Sequence, residues 1–389
     1  MKSGNLYKSF KKNYENRRIN LEQSGIFKYF LNSQGYILII VLTITALLIS
    51  VSSQFLLTAQ QNINYMKKFR NEAVSEQIAL SGLELSKFIL EADLKGFSSF
   101  ISNNAEKNKE IDSYHDIWAY NFPEIPIENS SVKVVISDSQ SKLNISAVSN
   151  QYVPQTPYFK ILKKFFNNLG MGNEYSDSIL DWVDTDNSRS AYGGEEYDFY
   201  STLPVYYRCK NGPFDSMDEL LLVKNFTPEI YYGLNVGNSN SDDEKNLVEN
   251  NRFTRTYGNE DKTDEVKIGP EKSLRLSDYF RVYGNNNDYT AGLNKININT
   301  APFRILSALT DEITDNIVTE IISRRSVKPF TSVDEIKDLI PDDSVRNSLL
   351  TVSSNIYEIE ITSYTGKNEK KVTAVYNRSS KKFYYLSIH

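Results

Sequence analysis

One cysteine and two histidines stand in a chain of 389 residues, and that shortage excludes several chemistries. Cys209 has no second thiol for an intrachain disulfide, and a lone cysteine carries no information on redox compartment. With only His115 and His389 available, a histidine-based triad, a zinc-protease site and a histidine metal cage are all disfavoured. Excess positive charge is missing too. A net charge of −5 and a pI near 5.4 leave no global basic field to attract nucleic acid. The length is ample for two or three domains with buried cores.

What the chain does have is one apolar run, Tyr36 to Leu57, 22 positions without a charge and with Gly35 just before it. As a helix at ~1.5 Å per residue it is ~33 Å long, enough for a hydrocarbon core of ~30 Å. Lys2, Lys8, Lys11, Lys12, Arg17, Arg18 and Lys28 precede it against only Glu15 and Glu22, so the positive-inside rule keeps the N-terminus cytoplasmic. A cleaved signal peptide has a shorter apolar region, ~7–15 residues, ending at small residues. A signal anchor leading into a soluble domain is the plainer alternative. Apolar positions continue at helical spacing through Ile63, Met66, Phe69, Ala73, Val74, Ile78, Ala79, Leu83, Leu85 and Phe88, with no Gly or Pro before Ser81. The expectation is one helix of roughly fifty residues, membrane-embedded first and amphipathic later.

Beyond it, residues 96–130 read as polar and irregular, and Val132–Ser137 as a short β-branched strand. Residues 155–235 carry helical patterns, and 236–290 read as a flexible polar insertion. Ile356–Ile361, Lys371–Tyr376 and Lys382–Ile388 alternate and are separated by turn residues, the signature of an antiparallel meander. Between these ends lies an internal repeat. KLNISA at 142–147 recurs as KININTA at 295–301, and PFDSMDEL at 213–220 recurs as PFTSVDEI at 329–336. In each copy a Ser precedes an acidic pair, which suits a helix N-cap with carboxylates in the first turn.

The densest polar constellation is DWVDTDNSRSAYGGEEYDFY, residues 181–200. Asp181, Asp184, Asp186, Glu195, Glu196 and Asp198 place six carboxylates within eighteen residues, a repulsion that a cation relieves. Hard oxygen donors without His or Cys select Ca²⁺ over zinc. The loop is no EF-hand: counting from Asp184, Arg189 falls where the invariant glycine belongs. A solvated acidic loop is the bland alternative, and a glycosidase carboxylate pair a remote one. KININTAP followed by PFTSVDEI also resembles the opening of DNA-binding helix-hairpin-helix modules. The corresponding hairpin, Thr310–Thr314, is acidic and lacks glycine, and residues 291–346 hold nine acids against seven bases, so no nucleic-acid partner is expected.

Together the basic leader ending in glycine, the uninterrupted apolar helix, Asp181–Trp182 with Asp184 and Asp186, Gly193–Gly194, KININTAP and the closing meander resemble one family. It is the K-type minor pseudopilin of the type II (general) secretion pathway. The resemblance implies an α+β fold, a pilin-like long N-terminal helix on an antiparallel sheet. A large α-helical domain with two helix-hairpin-helix (SAM-like) repeats interrupts it. The implied organisation is a leader at 1–35, a transmembrane segment at 36–57, and the rest of the helix with the first strands at 58–139. An inserted domain at 140–345 and the meander at 346–389 complete it.

The same resemblance implies prepilin peptidase cleavage between Gly35 and Tyr36, methylation, and single-pass placement in the inner membrane with the bulk periplasmic. Implied partners are the I- and J-type minor pseudopilins, the major pseudopilin and secreted substrates. No enzyme activity is implied, and Asp184, Asp186, Glu195, Glu196 and Asp198 become candidate ligands of a structural Ca²⁺. Ile40 occupies the fifth mature position, where most pilin-like proteins carry a glutamate; its absence suits a filament-tip subunit. The competing classes are a membrane-anchored helix-hairpin-helix DNA-uptake protein and a signal-anchored carboxylate enzyme.

Overall fold

A computed structural model describes residues 33–94, 111–150, 152–191, 198–233, 275–284 and 292–389. Two compact units divide at Asn71 and Glu72. The first contains the opening turns of helix α1, which runs Ser33–Leu94 as 62 continuous residues. It is one helix long and apolar enough to cross a membrane, with a mean hydropathy of 2.4 in its most apolar window, all of it exposed. Between Tyr36 and Ser81 no glycine or proline interrupts the helix.

In the second unit, the last turns of α1 lie on a five-stranded antiparallel sheet of order β1-β2-β7-β8-β9. Its strands are β1 (Ile125–Ile127), β2 (Ser130–Asp138), β7 (Ile356–Thr365), β8 (Asn368–Asn377) and β9 (Lys382–Ile388). The anticipated strand at 132–137 pairs with the meander, Val134 opposite Ile361 and Ile136 opposite Ile359. Alternation sends Val132, Val134, Ile136, Ile359, Ile361, Val372 and Ala374 to one face, where they meet Ala79, Leu83 and Leu90. A two-residue turn, Gly366–Lys367, joins β7 to β8, and Gly366 takes φ +63, a conformation disfavoured once a Cβ is present.

The stripe that α1 buries differs from the anticipated one. Ile63, Met66 and Phe69 are exposed, and Leu85 and Phe88 point away from the sheet at 39% and 65% exposure. Of the anticipated positions Ala79 and Leu83 are buried, and Ser75, Gly82 and Ser86 complete the packed face with them, at i, i+4, i+7, i+8 and i+11. Small residues let helix and sheet approach. A Cβ at Gly82 would stand 3.0 Å from Ile361 Cγ2 and 3.2 Å from Val132 Cγ2. A residue scan for large apolar side chains overlooks such a face. The buried serines are satisfied: the Ser75 and Ser363 hydroxyls lie 2.8 Å apart, and Ser363 Oγ donates to the Ser75 carbonyl at 2.7 Å.

Between β2 and β7 the chain forms a second, largely helical core. Its elements are β3 (Leu143–Asn144), α2 (Pro157–Asn168), α3 (Asn173–Val183), α4 (Asp198–Ser201), α5 (Pro228–Tyr232) and β4 (Phe280–Arg281). There follow β5 (Ile296–Asn297), α6 (Phe303–Ser307), α7 (Asp315–Val327), α8 (Asp343–Leu349) and β6 (Leu350–Thr351). Two expectations are corrected here. The stretch 275–284, assigned to the flexible insertion, is packed: Phe280 is fully buried and Arg281 1% exposed, its guanidinium donating to the carbonyls of Lys142, Tyr283 and Leu293. Residues 111–122, read as irregular polar chain, are also partly interior, because Asp112 and Asp116 are buried beside Trp118. The helical core also reaches beyond 345, taking in Leu349 and Leu350.

Candidate functional sites at the junction and the acidic loop

The two copies of the repeat fold the same way. Each opens on a two-residue strand that pairs in parallel with a strand closing the copy, Leu143 with Phe280 and Ile296 with Leu350. In both, the asparagine of the motif caps its own turn: Asn144 Oδ1 accepts from the Ser146 amide and Asn297 Oδ1 from the Asn299 amide, each at 3.0 Å. Two residues on, the side chain accepts from the phenylalanine amide of the downstream motif. Ser146 Oγ takes Phe214 N–H at 3.1 Å, and Asn299 Oδ1 takes Phe330 N–H at 2.8 Å.

The acidic pair after each phenylalanine starts a 3₁₀ turn, Met217–Leu222 and Val333–Ile336. Its glutamate reaches back, Glu219 to the Asp215 amide and Glu335 to the Thr331 amide. Ser332 caps its turn as anticipated, whereas Ser216 makes no side-chain cap bond.

Asn297 does more than its counterpart. Its Nδ2 donates to the Asp112 carbonyl at 3.0 Å, to Asp138 Oδ2 at 3.0 Å and to Ser354 Oγ at 2.9 Å. Asp138 ends β2, where the chain leaves the sheet, and Ser354 stands just before β7, where it returns. Asp138 Oδ2 also accepts from the hydroxyls of Thr300 (2.5 Å) and Ser354 (2.7 Å), and Oδ1 from the Gln140 amide (2.7 Å). Burial pushes the Asp138 carboxyl up from its ordinary range, while the Thr300 and Ser354 hydroxyls pull it back.

Beside it, Arg378 is 4% exposed. Its Nη2 donates to Asp112 Oδ2 at 2.8 Å and to the Ser354 carbonyl at 2.7 Å, and Nη1 lies 3.5 Å from Asp93 Oδ2. Tyr357 donates to Asp112 Oδ1 at 2.7 Å and offers its ring to the guanidinium at 5.0 Å. Desolvation works against the charged guanidinium, but Tyr357, Asp112 and Asp93 outweigh it and raise its pKa. Among the described residues, Asp93, Asp112 and Asp116 place three carboxylate oxygens within 4.8 Å, a metal-like grouping in which Arg378 already supplies a cation.

None of Asp112, Asp138, Ser354 or Arg378 was anticipated as a site. The available signal was the KININTA asparagine, whose partners lie more than fifty residues away in either direction.

The anticipated ligand loop is partly described. Asp184 caps the C-terminal end of α3 and is 7% exposed, and Asp181 is 1% exposed with both carboxylate oxygens accepting from the Ser190 amide. Asp186 lies exposed and accepts from the Ser188 amide at 2.7 Å. Glu195 and Glu196 fall outside the described residues, and Asp198 begins α4. Burial raises the Asp181 carboxyl, the Ser190 contacts lower it, and the charges of Asp177 and Asp186 raise it further. The anticipated cleavage pair, Gly35–Tyr36, sits in the first turn of α1.

A long amphipathic helix packed on an antiparallel sheet, with a helical domain inserted between two sheet strands, defines a helix-on-sheet body carrying a two-copy insertion. Two family models, both described as type II secretion system (T2SS), protein K, match residues 141–235 and 296–353, one on each copy of the repeat. A curated relative, the type II secretion system protein K of Pectobacterium carotovorum subsp. carotovorum, is 26% identical over 211 residues. That match covers 51% of this chain and 60% of the relative's length. The fold is similar to the crystal structure of the GspK-GspI-GspJ complex of enterotoxigenic Escherichia coli, with a TM-score of 0.58 and 16% identity. It covers 83% of this chain and 96% of the matched one. The chain is thus similar to type II secretion system protein K across both copies of the repeat.

Removing Arg378 tests the junction. Arg378→Met leaves Asp112 and Asp93 buried without their cation, a loss of about 3–5 kcal/mol for a broken buried pair. Denaturant titration of the variant should show that loss, and an unchanged midpoint would refute the role given to the network.

Proposed function

We propose that the chain is a K-type minor pseudopilin, a non-enzymatic subunit at the tip of the type II secretion pseudopilus. The observation that carries this reading is the family match on both repeat copies, set in a chain whose first helix opens with a 22-residue apolar run. The basic leader gives the orientation, N-terminus cytoplasmic and bulk periplasmic, across the inner membrane. Prepilin peptidase cuts after Gly35, so the mature chain starts at Tyr36 and is open to N-terminal methylation. Mass spectrometry of the mature N-terminus tests this, and any other start would sink it.

The tip position follows from two features. A glutamate at the fifth mature position could hold the amine of a neighbouring subunit, but Ile40 offers no such acceptor. The helical domain, built as two helix-hairpin-helix repeats, is also too bulky for a filament shaft. Likeness to a GspK-GspI-GspJ complex supports I- and J-type minor pseudopilins as direct partners. The major pseudopilin lies below them and secreted proteins are the load. The expected outcome is co-purification with the I- and J-type subunits, and antibody or gold label on the helical domain at one end of each pseudopilus. Label along the shaft would overturn the tip assignment.

A DNA-uptake role has less support. The first repeat does carry a glycine hairpin, with Gly170 at φ +72, but the Glu174 carboxylate lies against Gly172 where a Cβ would overlap it. The start of α3 is therefore screened by the protein's own anion.

Asp184, Asp186, Glu195, Glu196 and Asp198 are proposed to hold a structural Ca²⁺. The donor chemistry fits: hard carboxylates, beside a buried Asp181 whose charge is disfavoured first by burial and further by Asp177 and Asp186. Bound calcium would neutralise the loop and fasten the end of α3. Ligand at a hundredfold excess over Kd stabilises by ~2.7 kcal/mol. Calcium should raise the melting temperature and chelator lower it; scanning calorimetry without a calcium-dependent shift would reduce the site to an acidic loop.

A further inference from the structure

Beyond the apolar run, α1 carries a cluster that the pseudopilin reading does not use. From Thr58 to Asn71 there is no acidic residue, and Lys67, Lys68 and Arg70 stand beside Tyr65 and Phe69. All five are exposed, Tyr65 and Phe69 at 71% each. Successive helical positions step by ~100°, so the three cations spread over ~160° of the circumference while the two rings, four residues apart, share the other side, and together the five ring the helix. A one-sided stripe suits a protein groove. A collar around the whole circumference suits a planar surface that the helix passes through.

The spacing agrees. Lys67 is ten residues past Leu57, ~15 Å along the axis, and helical side chains lean back toward the N-terminus. Snorkelling therefore brings the ammonium to ~10 Å beyond the hydrocarbon edge. The headgroup layer is about 5–8 Å thick, and charges interact over a Debye length of ~8 Å at physiological salt. Tyr65 precedes the cations, at the depth where amphipathic rings anchor in the interface.

We propose that Tyr65–Arg70 is an interfacial collar that binds anionic phospholipid headgroups on the non-cytoplasmic side of the membrane. In the uncleaved chain the collar sets the depth of the anchor against the basic leader on the other side. This rests on the reading of Tyr36–Leu57 as a membrane anchor.

The test uses the full chain in mild detergent with equimolar phosphatidylglycerol and phosphatidylcholine, counting co-purified lipids by native mass spectrometry. A juxtamembrane cation is worth about fivefold in affinity for an anionic surface. Wild type should retain phosphatidylglycerol in excess. The combined variant Lys67→Gln, Lys68→Gln, Arg70→Gln, at exposed positions that leave the melting temperature unchanged, should lose at least fivefold of that excess. An excess equal to wild type overturns the collar and assigns it to the leader. Retention of neither lipid by wild type overturns the anchor reading with it.

Discussion

Arg378 holds a position on which the arrangement of the helix-on-sheet body depends. It follows β8 immediately, yet it is tied to Asp93 near the end of α1, to Asp112 in the chain leading to the sheet, and to the Ser354 carbonyl before β7. A buried cation with two carboxylates is stable only where geometry supplies further hydrogen bonds, because desolvation is costly. Those bonds are present. Asp112 also accepts from the Ser354 amide and the Tyr357 hydroxyl, and its own amide donates to the Val352 carbonyl. One guanidinium thus pins three segments far apart in sequence, and partial loss leaves buried charge unpaired instead of merely weakening a contact.

Asp138 extends the same constraint into the helical domain. An insertion of roughly two hundred residues between adjacent strands meets the sheet where the chain leaves and returns, and Asp138 and Ser354 mark those points. The second repeat copy bonds to both through Asn297 and Thr300, whereas Asn144 of the first copy bonds to Asn294. Equivalent residues have therefore diverged: both asparagines cap their own turns, but only Asn297 also closes the junction. That accounts physically for the motif without invoking nucleic acid, since its donors and acceptors are already committed inside the protein.

Much of this fold was legible from the residues. β-Branched alternation located β2 and the meander, and repeated strings located two copies of one unit, because local pattern and tertiary role coincide there. Legibility failed where the packing surface is small or the partner distant. The face of α1 that meets the sheet sets Ser75, Gly82 and Ser86 beside Ala79 and Leu83 for close approach, so counting apolar residues found Ala79 and Leu83 but missed the small polar positions and added the exposed Leu85 and Phe88. Asp112 and Arg378 carry no local signal: a lone aspartate in polar chain and an arginine at a turn become a site only when 266 intervening positions fold back. Of the acidic loop, charge density alone was readable. It did not distinguish the buried, amide-bound Asp181 from the exposed Asp186.

These two kinds of contact divide the mechanical work of the chain. The α1–sheet face is close-packed by small residues and locked by the Ser75–Ser363 bonds, so it resists sliding of the helix along the sheet. The junction network resists separation of the helical domain from the sheet, because opening it would bare Arg378, Asp112 and Asp138 together. A body built from one helix on an interrupted sheet draws on both. Shear along the helix is met by shape complementarity, and tension across the insertion by charge-assisted hydrogen bonds, each the interaction best suited to that direction of strain.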